Sequence, residues 1–118
     1  MWSFPKGHGD LDILRVQNWL KEHFDQSLMI DEVAMLFGFG VRNYKSCFKQ
    51  ATGYTPIAYL QTLRLEKAKQ SFESTRTTLD SITYKVTYED GNSFRRLFRR
   101  RVGLLPAAYR KKIQPNTI

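Results

Sequence analysis

Two short stretches of this chain carry long cationic and hydrogen-bonding side chains at helical spacing. Arg42, Lys45, Ser46 and Lys49 fall on one face of a helix, with Tyr44, Cys47, Phe48 and Ala51 on the opposite face. Asn92, Arg95, Arg96 and Arg99 form a similar stripe behind which Phe94, Leu97 and Phe98 lie. Arg, Lys and Asn side chains can reach the donors and acceptors on base edges, so each face has the chemistry that a helix in a major groove requires. One basic face alone is most often a solvated surface. Two such faces in register, with no acids around either, point instead to a polyanion.

The register comes from a duplication. Tyr44, Phe48, Gly53, Pro56 and Tyr59 recur fifty residues later as Phe94, Phe98, Gly103, Pro106 and Tyr109. Upstream the offset is forty-nine, pairing Ile30-Asp31 with Leu79-Asp80, Val33 with Ile82 and Phe39 with Tyr88. One extra residue between Glu89 and Ser93 accounts for the change. Arg42 therefore corresponds to Asn92, Lys45 to Arg95, Ser46 to Arg96 and Lys49 to Arg99. Two copies of one supersecondary unit are expected.

The surrounding sequence supplies elements to hold these faces. Residues 1–9 read as a linker or a remnant, and Asp10 as the cap of a first helix with Leu11, Ile13, Val16, Trp19, Leu20 and Phe24 inward. The first copy spans about 30–53. It has a short helix burying Val33, Ala34, Leu36 and Phe37, a turn at Gly38, and a second helix from about Val41 stopped by Gly53. Pro56 opens a long helix to about Phe72, with Tyr59, Leu60, Leu63, Ala68 and Phe72 as core candidates. The second copy spans about 80–103 and a last helix about 106–112, before a frayed tail at 113–118. No two-residue alternation marks a strand, so the fold class is all-α: two helix-turn-helix motifs joined by a long linker helix. Seventeen residues of linker helix span about 25 Å, suited to setting two reading helices near one DNA turn, roughly 34 Å, apart.

At 118 residues and a net charge of +8, the chain fits one small domain or two very small ones, with nucleic acid as the first class of partner and an anionic surface as the second. The charge is uneven. No acid occurs from Val33 to Leu65 or after Gly91, and Gly91 to Lys112 holds eight Lys and Arg residues. The single Cys47 excludes an internal disulfide, which suits a reducing cytoplasm. No apolar run approaches the roughly 20 residues of a membrane span.

Ile30-Asp31-Glu32-Val33-Ala34 and Phe48-Lys49-Gln50-Ala51-Thr52-Gly53-Tyr54-Thr55-Pro56 resemble the first half of an AraC/XylS-type DNA-binding domain. Leu63-Arg64-Leu65-Glu66-Lys67-Ala68 is similar to its linker helix. Tyr88-Glu89-Asp90, Phe94-Arg95-Arg96-Leu97-Phe98 and Gly103-Leu104-Leu105-Pro106-Ala107-Ala108-Tyr109-Arg110 resemble its C-terminal signature. The resemblance covers about 10–112. It implies a bacterial transcription regulator with seven helices that binds a double-stranded DNA operator, with RNA polymerase as a further partner. Base contacts then fall on Arg42, Lys45 and Ser46 and on Asn92, Arg95 and Arg96. Phosphate contacts fall on Lys49 and Arg99, and Asn43 is a further candidate. His8-Gly9-Asp10 and Gln17-Asn18-Trp19-Leu20-Lys21-Glu22-His23-Phe24 are similar to one branch, whose DNA-binding domain follows a class I glutamine-amidotransferase-like sensing domain absent from this chain.

The sequence departs from the family at three places. Thr87 stands where a turn glycine is usual, and a β-branched residue at positive φ would be strained by about 1 kcal/mol or more. Met29 and Gly40 stand where Ser or Thr would cap. His8, His23 and Cys47 lack metal-ligand spacing, and Asp10/Asp12 and Glu89/Asp90 read as helix-start and turn residues. No catalytic motif or cofactor is expected. The alternative is a basic helical module that docks on acidic proteins or anionic surfaces without reading sequence. An enzyme fragment is the third reading, and it lacks a convergent titratable cluster.

Overall fold

The computed structural model describes residues 3–87 and 91–114, the side chains of residues 3–11 and Thr87 excepted. Its helices are α1 (Ser3–His23), α2 (Ile30–Leu36), α3 (Val41–Thr52), α4 (Pro56–Ser74), α5 (Leu79–Thr87), α6 (Gly91–Val102) and α7 (Pro106–Ile113). No strand occurs among the described residues. The chain divides into two compact units. One comprises the residues up to Phe24 with Leu28–Thr62; the other comprises Asp25–Ser27 with the residues from Leu63 on.

In the first unit α1 and α2 both pack on α3. Ile13, Val16 and Leu20 from α1, Val33 and Ala34 from α2, and Tyr44 and Phe48 from α3 are buried, with Leu60 beneath them. Each of the larger aliphatic and phenyl side chains among them contributes about 1.5–3 kcal/mol by leaving water. Gly38 and Gly53 end α2 and α3 at φ +78° and +84°, where any other residue would be strained. The second unit repeats the plan, with α5 and α7 on α6. Its core holds Leu65, Ala68, Phe72, Ile82, Val86, Phe94, Phe98 and Tyr109. The aromatic packing is duplicated too: Tyr44–Phe48 and Phe94–Phe98 are both 5.8 Å between ring centroids, and Phe48–Tyr59 and Phe98–Tyr109 are 5.3 and 5.5 Å.

The C-terminal end of α4 is closed by α7. Arg110 donates from Nε to the Phe72 carbonyl at 3.3 Å, from Nη1 to Thr77 at 2.6 Å and from Nη2 to Thr75 at 3.2 Å. Its guanidinium also lies 5.6 Å from the centre of the Phe72 ring. The Gln114 amide donates to the Phe72 carbonyl at 2.7 Å and to that of Glu73. These donors satisfy carbonyls that the end of a helix leaves without intrahelical partners. The Tyr109 hydroxyl donates to Glu73, and burial together with that carboxylate pushes it up to about 12.

Several expectations need correction. The first helix begins at Ser3, so the segment expected to be a linker is helical and Asp10 lies inside α1 instead of capping it. Pro5 is in the first turn, where its missing N–H is not needed, and Gly7 and Gly9 each cost only about 1 kcal/mol in a helix. Asp12, likewise inside α1, lies 3.7 Å from Arg15. Leu36 is exposed, whereas Phe37 is half-buried. At about 100° per residue Phe37 falls between Val33 and Ala34 on the wheel and Leu36 falls outside that arc. Trp19, Phe24, Tyr59 and Leu63 are half-buried rather than fully inward. Residues 113 and 114 are held by the Gln114 contacts and do not belong to a frayed tail.

Thr87 is the last residue of α5, not the pivot of a turn. At the forty-nine-residue offset the end of α2 corresponds to Lys85, so α5 runs two residues further than α2. Without a glycine to take positive φ, the helix continues through this position. Glu89 and Asp90, read as turn residues, lie outside the described residues.

Candidate nucleic-acid interface

The two outer faces are fixed by the residues beneath them. In α3, Tyr44 and Phe48 are buried and Cys47 is half-buried. In α6, Phe94 and Phe98 are buried and Leu97 is half-buried. From Val41 to Gln50 and from Gly91 to Arg100, buried, half-buried and exposed positions follow the same order without exception. With those residues inward, Arg42, Asn43, Lys45, Ser46 and Lys49 are all exposed on α3, and Asn92, Arg95, Arg96 and Arg99 on α6. All nine candidates thus lie on the open side of their own unit. Each helix presents a row of donors above an aromatic floor, which suits phosphate oxygens and base-edge acceptors.

The starts of the helices match the sequence reading. Neither α2 at Met29 nor α3 at Gly40 has a side-chain cap. Cys47 donates its S–H to Asn43 Oδ1 at 3.5 Å, in keeping with a cysteine packed along the edge of a helix. His23 ends α1, its Nδ1 2.7 Å from the Trp19 carbonyl and its ring stacked on Trp19 at 4.1 Å. Among the described residues no group of three His, Cys, Asp or Glu side chains could hold a metal ion, and no helix is long and apolar enough to cross a membrane.

Two carboxylates lie beside the reading faces. Asp31 Oδ1 is 3.7 Å from Lys45 Nζ, and Asp80 Oδ1 is 3.8 Å from Arg95 Nη1. Arg95 also donates from Nη2 to Asn92 Oδ1. Sequence reasoning paired Asp31 with Asp80 but gave neither a role. The signal was available: each is an acid retained in both copies of an otherwise basic module. It also gave Arg110 no role of its own beyond the C-terminal signature, although Arg110 aligns with the buried Leu60, a register position that faces inward. Arg64 was missed as well; it is buried in α4 and donates to the Gln26 carbonyl at 2.9 Å.

One difference lies under the faces. The Tyr44 hydroxyl is buried without a hydrogen-bond partner among the described residues, and burial, with a smaller effect from Asp31, pushes it up to about 12. Phe94 fills the same place in α6 with no hydroxyl.

A family model described as a helix-turn-helix domain matches residues 33–112. The transcriptional activator RhaS of an Enterobacter species is 33% identical over 104 residues, covering 88% of this chain and 37% of that protein. The MmsAB operon regulatory protein of Pseudomonas aeruginosa is 30% identical over 110 residues, covering 93% of this chain and 36% of that protein. The chain therefore spans about a third of the length of the curated relatives it matches. Among solved structures, the DNA-binding domain of the transcriptional factor AdpA in complex with a target DNA aligns with a TM-score of 0.84 at 25% identity, covering 89% of this chain and 95% of that one. The C-terminal domain of AraT, a response regulator from Geobacillus stearothermophilus, aligns at 0.82 and 26% identity, covering 86% and 84%.

Proposed function

This chain belongs to the AraC-type helix-turn-helix family, and from that premise we propose that it is the sequence-specific, double-stranded-DNA-binding part of a transcription regulator. The observation that carries the reading is the identical order of exposure along α3 and α6, which turns every candidate contact outward in both copies. Arg42, Lys45 and Ser46, and in the second copy Asn92, Arg95 and Arg96, contact base edges. Lys49 and Arg99 contact phosphate, and Asn43 lies at the edge of the first contact surface. The two helices enter successive major grooves of the duplex.

Phosphate contacts supply most of the affinity and base contacts the choice of site. In the whole protein an N-terminal class I glutamine-amidotransferase-like domain senses a small molecule, RNA polymerase is a partner, and the protein works in the cytoplasm. The resemblance within residues 8–24 supports the sensing domain. The test is titration of the chain with labelled duplex DNA and with anionic vesicles over a range of salt. Duplex binding should be the tighter, with log Kd steep in log salt. Equal binding to vesicles would favour a surface-docking module.

A further inference from the structure

Asp31 and Asp80 hold the same position in the two motifs, the second residue of α2 and of α5, and each meets the corresponding cation of the reading helix. The duplication has thus kept acid, cation and contact together in both motifs. A carboxylate beside a bound polyanion weakens non-specific attraction. At side-chain exposures of 58% and 94%, neither acid adds much to folding through its ion pair. In the first turns of α2 and α5 each acid favours the helix start by roughly 0.3–1 kcal/mol, and its contact with the cation of the reading helix adds orientation of that cation.

The second motif develops the contact further. The Arg95 guanidinium meets Asp80 at Nη1 and Asn92 at Nη2, and a Cβ built on Gly91 would lie 3.4 Å from Nη1. The group therefore lies over the first turn of α6, with one partner on each terminal nitrogen. A guanidinium carries five N–H donors in a planar fork, so these two partners leave donors for a bidentate acceptor. In the first motif Val41 takes the place of Gly91, and Lys45 offers a point charge in place of a fork.

We infer that Asp80 and Asn92 are positioning residues that hold the Arg95 guanidinium toward the O6 and N7 of a guanine, making the second motif the stricter reader. The inference rests on the DNA-binding reading given above. An arginine at a groove edge can turn to phosphate or to a base. Asp80 disfavours the first by repelling phosphate oxygens, and with Asn92 it reduces the side-chain freedom lost in the second. Asp31 orients Lys45 in the same sense, but one ammonium accepts more than one base edge.

The test measures affinity at fixed salt for a selected duplex and for versions with each base replaced in turn, using the unmodified chain, Arg95→Ala, Asp80→Asn, Asp80→Glu and Asn92→Ala. The unmodified chain should lose about 10- to 100-fold when one particular guanine is replaced. Arg95→Ala should erase that preference, and Asp80→Asn should reduce it to about threefold or less without weakening binding to random duplex. Asp80→Glu, which keeps the charge, should restore part of it. Asn92→Ala should also reduce the guanine preference, with a further loss at the base that Asn92 itself contacts, and covers the case of a misfolded Asp80 variant, with circular dichroism checking each fold. A guanine preference that needs Arg95 yet survives Asp80→Asn and Asn92→Ala would overturn the inference alone. Equal losses on selected and random duplexes in those two variants would also overturn it. If Arg95→Ala alters preference at no position, the assignment of Arg95 as a base contact falls and the inference with it, whereas α6 as a reader is tested separately by Arg96→Ala.

Discussion

In the first motif a lysine reaching from α3 meets one carboxylate; in the second an arginine from α6 meets a carboxylate and an amide. Below them Tyr44 brings a buried hydroxyl with no hydrogen-bond partner among the described residues, and Phe94 brings no hydroxyl. Seven residues past the glycine stop, Leu60 is buried, while the corresponding Arg110 donates to carbonyls at and just beyond the end of α4. Yet the order of buried and exposed positions along the two reading helices is the same. The duplicated pattern specifies which way a side chain faces. It leaves open what that side chain does, and there the copies have separate chemistries.

The largest effects should be those the copies share. Phe48→Ala and Phe98→Ala each remove a fully buried ring, and each should cost about 3–5 kcal/mol in urea unfolding followed by circular dichroism. A loss of below about 1 kcal/mol in one copy only would break the structural equivalence. Arg110→Ala should cost about 1–3 kcal/mol by releasing three carbonyls, with Leu60→Ala costing about 2–5 kcal/mol as an apolar deletion.

These contrasts show how far the sequence reaches. The all-α class, the two helix-turn-helix outlines and all nine outward-facing candidates could be read from it, because apolar spacing reports which face is covered. The start of α1 could not. Gly7, Gly9 and Pro5 weaken a helix locally without forbidding one. The role of Arg110 could not be read, because composition reports its charge and not the carbonyls it meets thirty-odd residues away. The Asp31 and Asp80 pairs escaped for a similar reason: a shared offset aligns residues between copies, whereas an ion pair joins residues within a copy.

Reading by the outer faces should separate two kinds of contact. Arg96→Ala should cost about 1–3 kcal/mol on a selected duplex and relax preference at one position, measured against random duplex. Lys49→Ala should weaken all sequences about equally and reduce the salt slope by about one. Matching losses from Arg96→Ala on selected and random DNA would contradict its role in base reading.

The smallest effect is the most asymmetric. Tyr44→Phe removes a buried hydroxyl that has no hydrogen-bond partner among the described residues, so stability should be unchanged or slightly raised. Phe94→Tyr would place a hydroxyl at the matching buried position and should cost about 1–3 kcal/mol. Opposite signs in thermal melts would sharpen the comparison. Equal losses would mean that the Tyr44 hydroxyl has a favourable interaction after all.

The central claim is that one chain reads duplex DNA with two unequal copies of a single motif. Selection of bound sites from random duplexes tests it most directly. The account predicts two short blocks about one helical turn apart, the stronger preference in the block that Arg96→Ala weakens. Enrichment of a single block, or none above random, would contradict it.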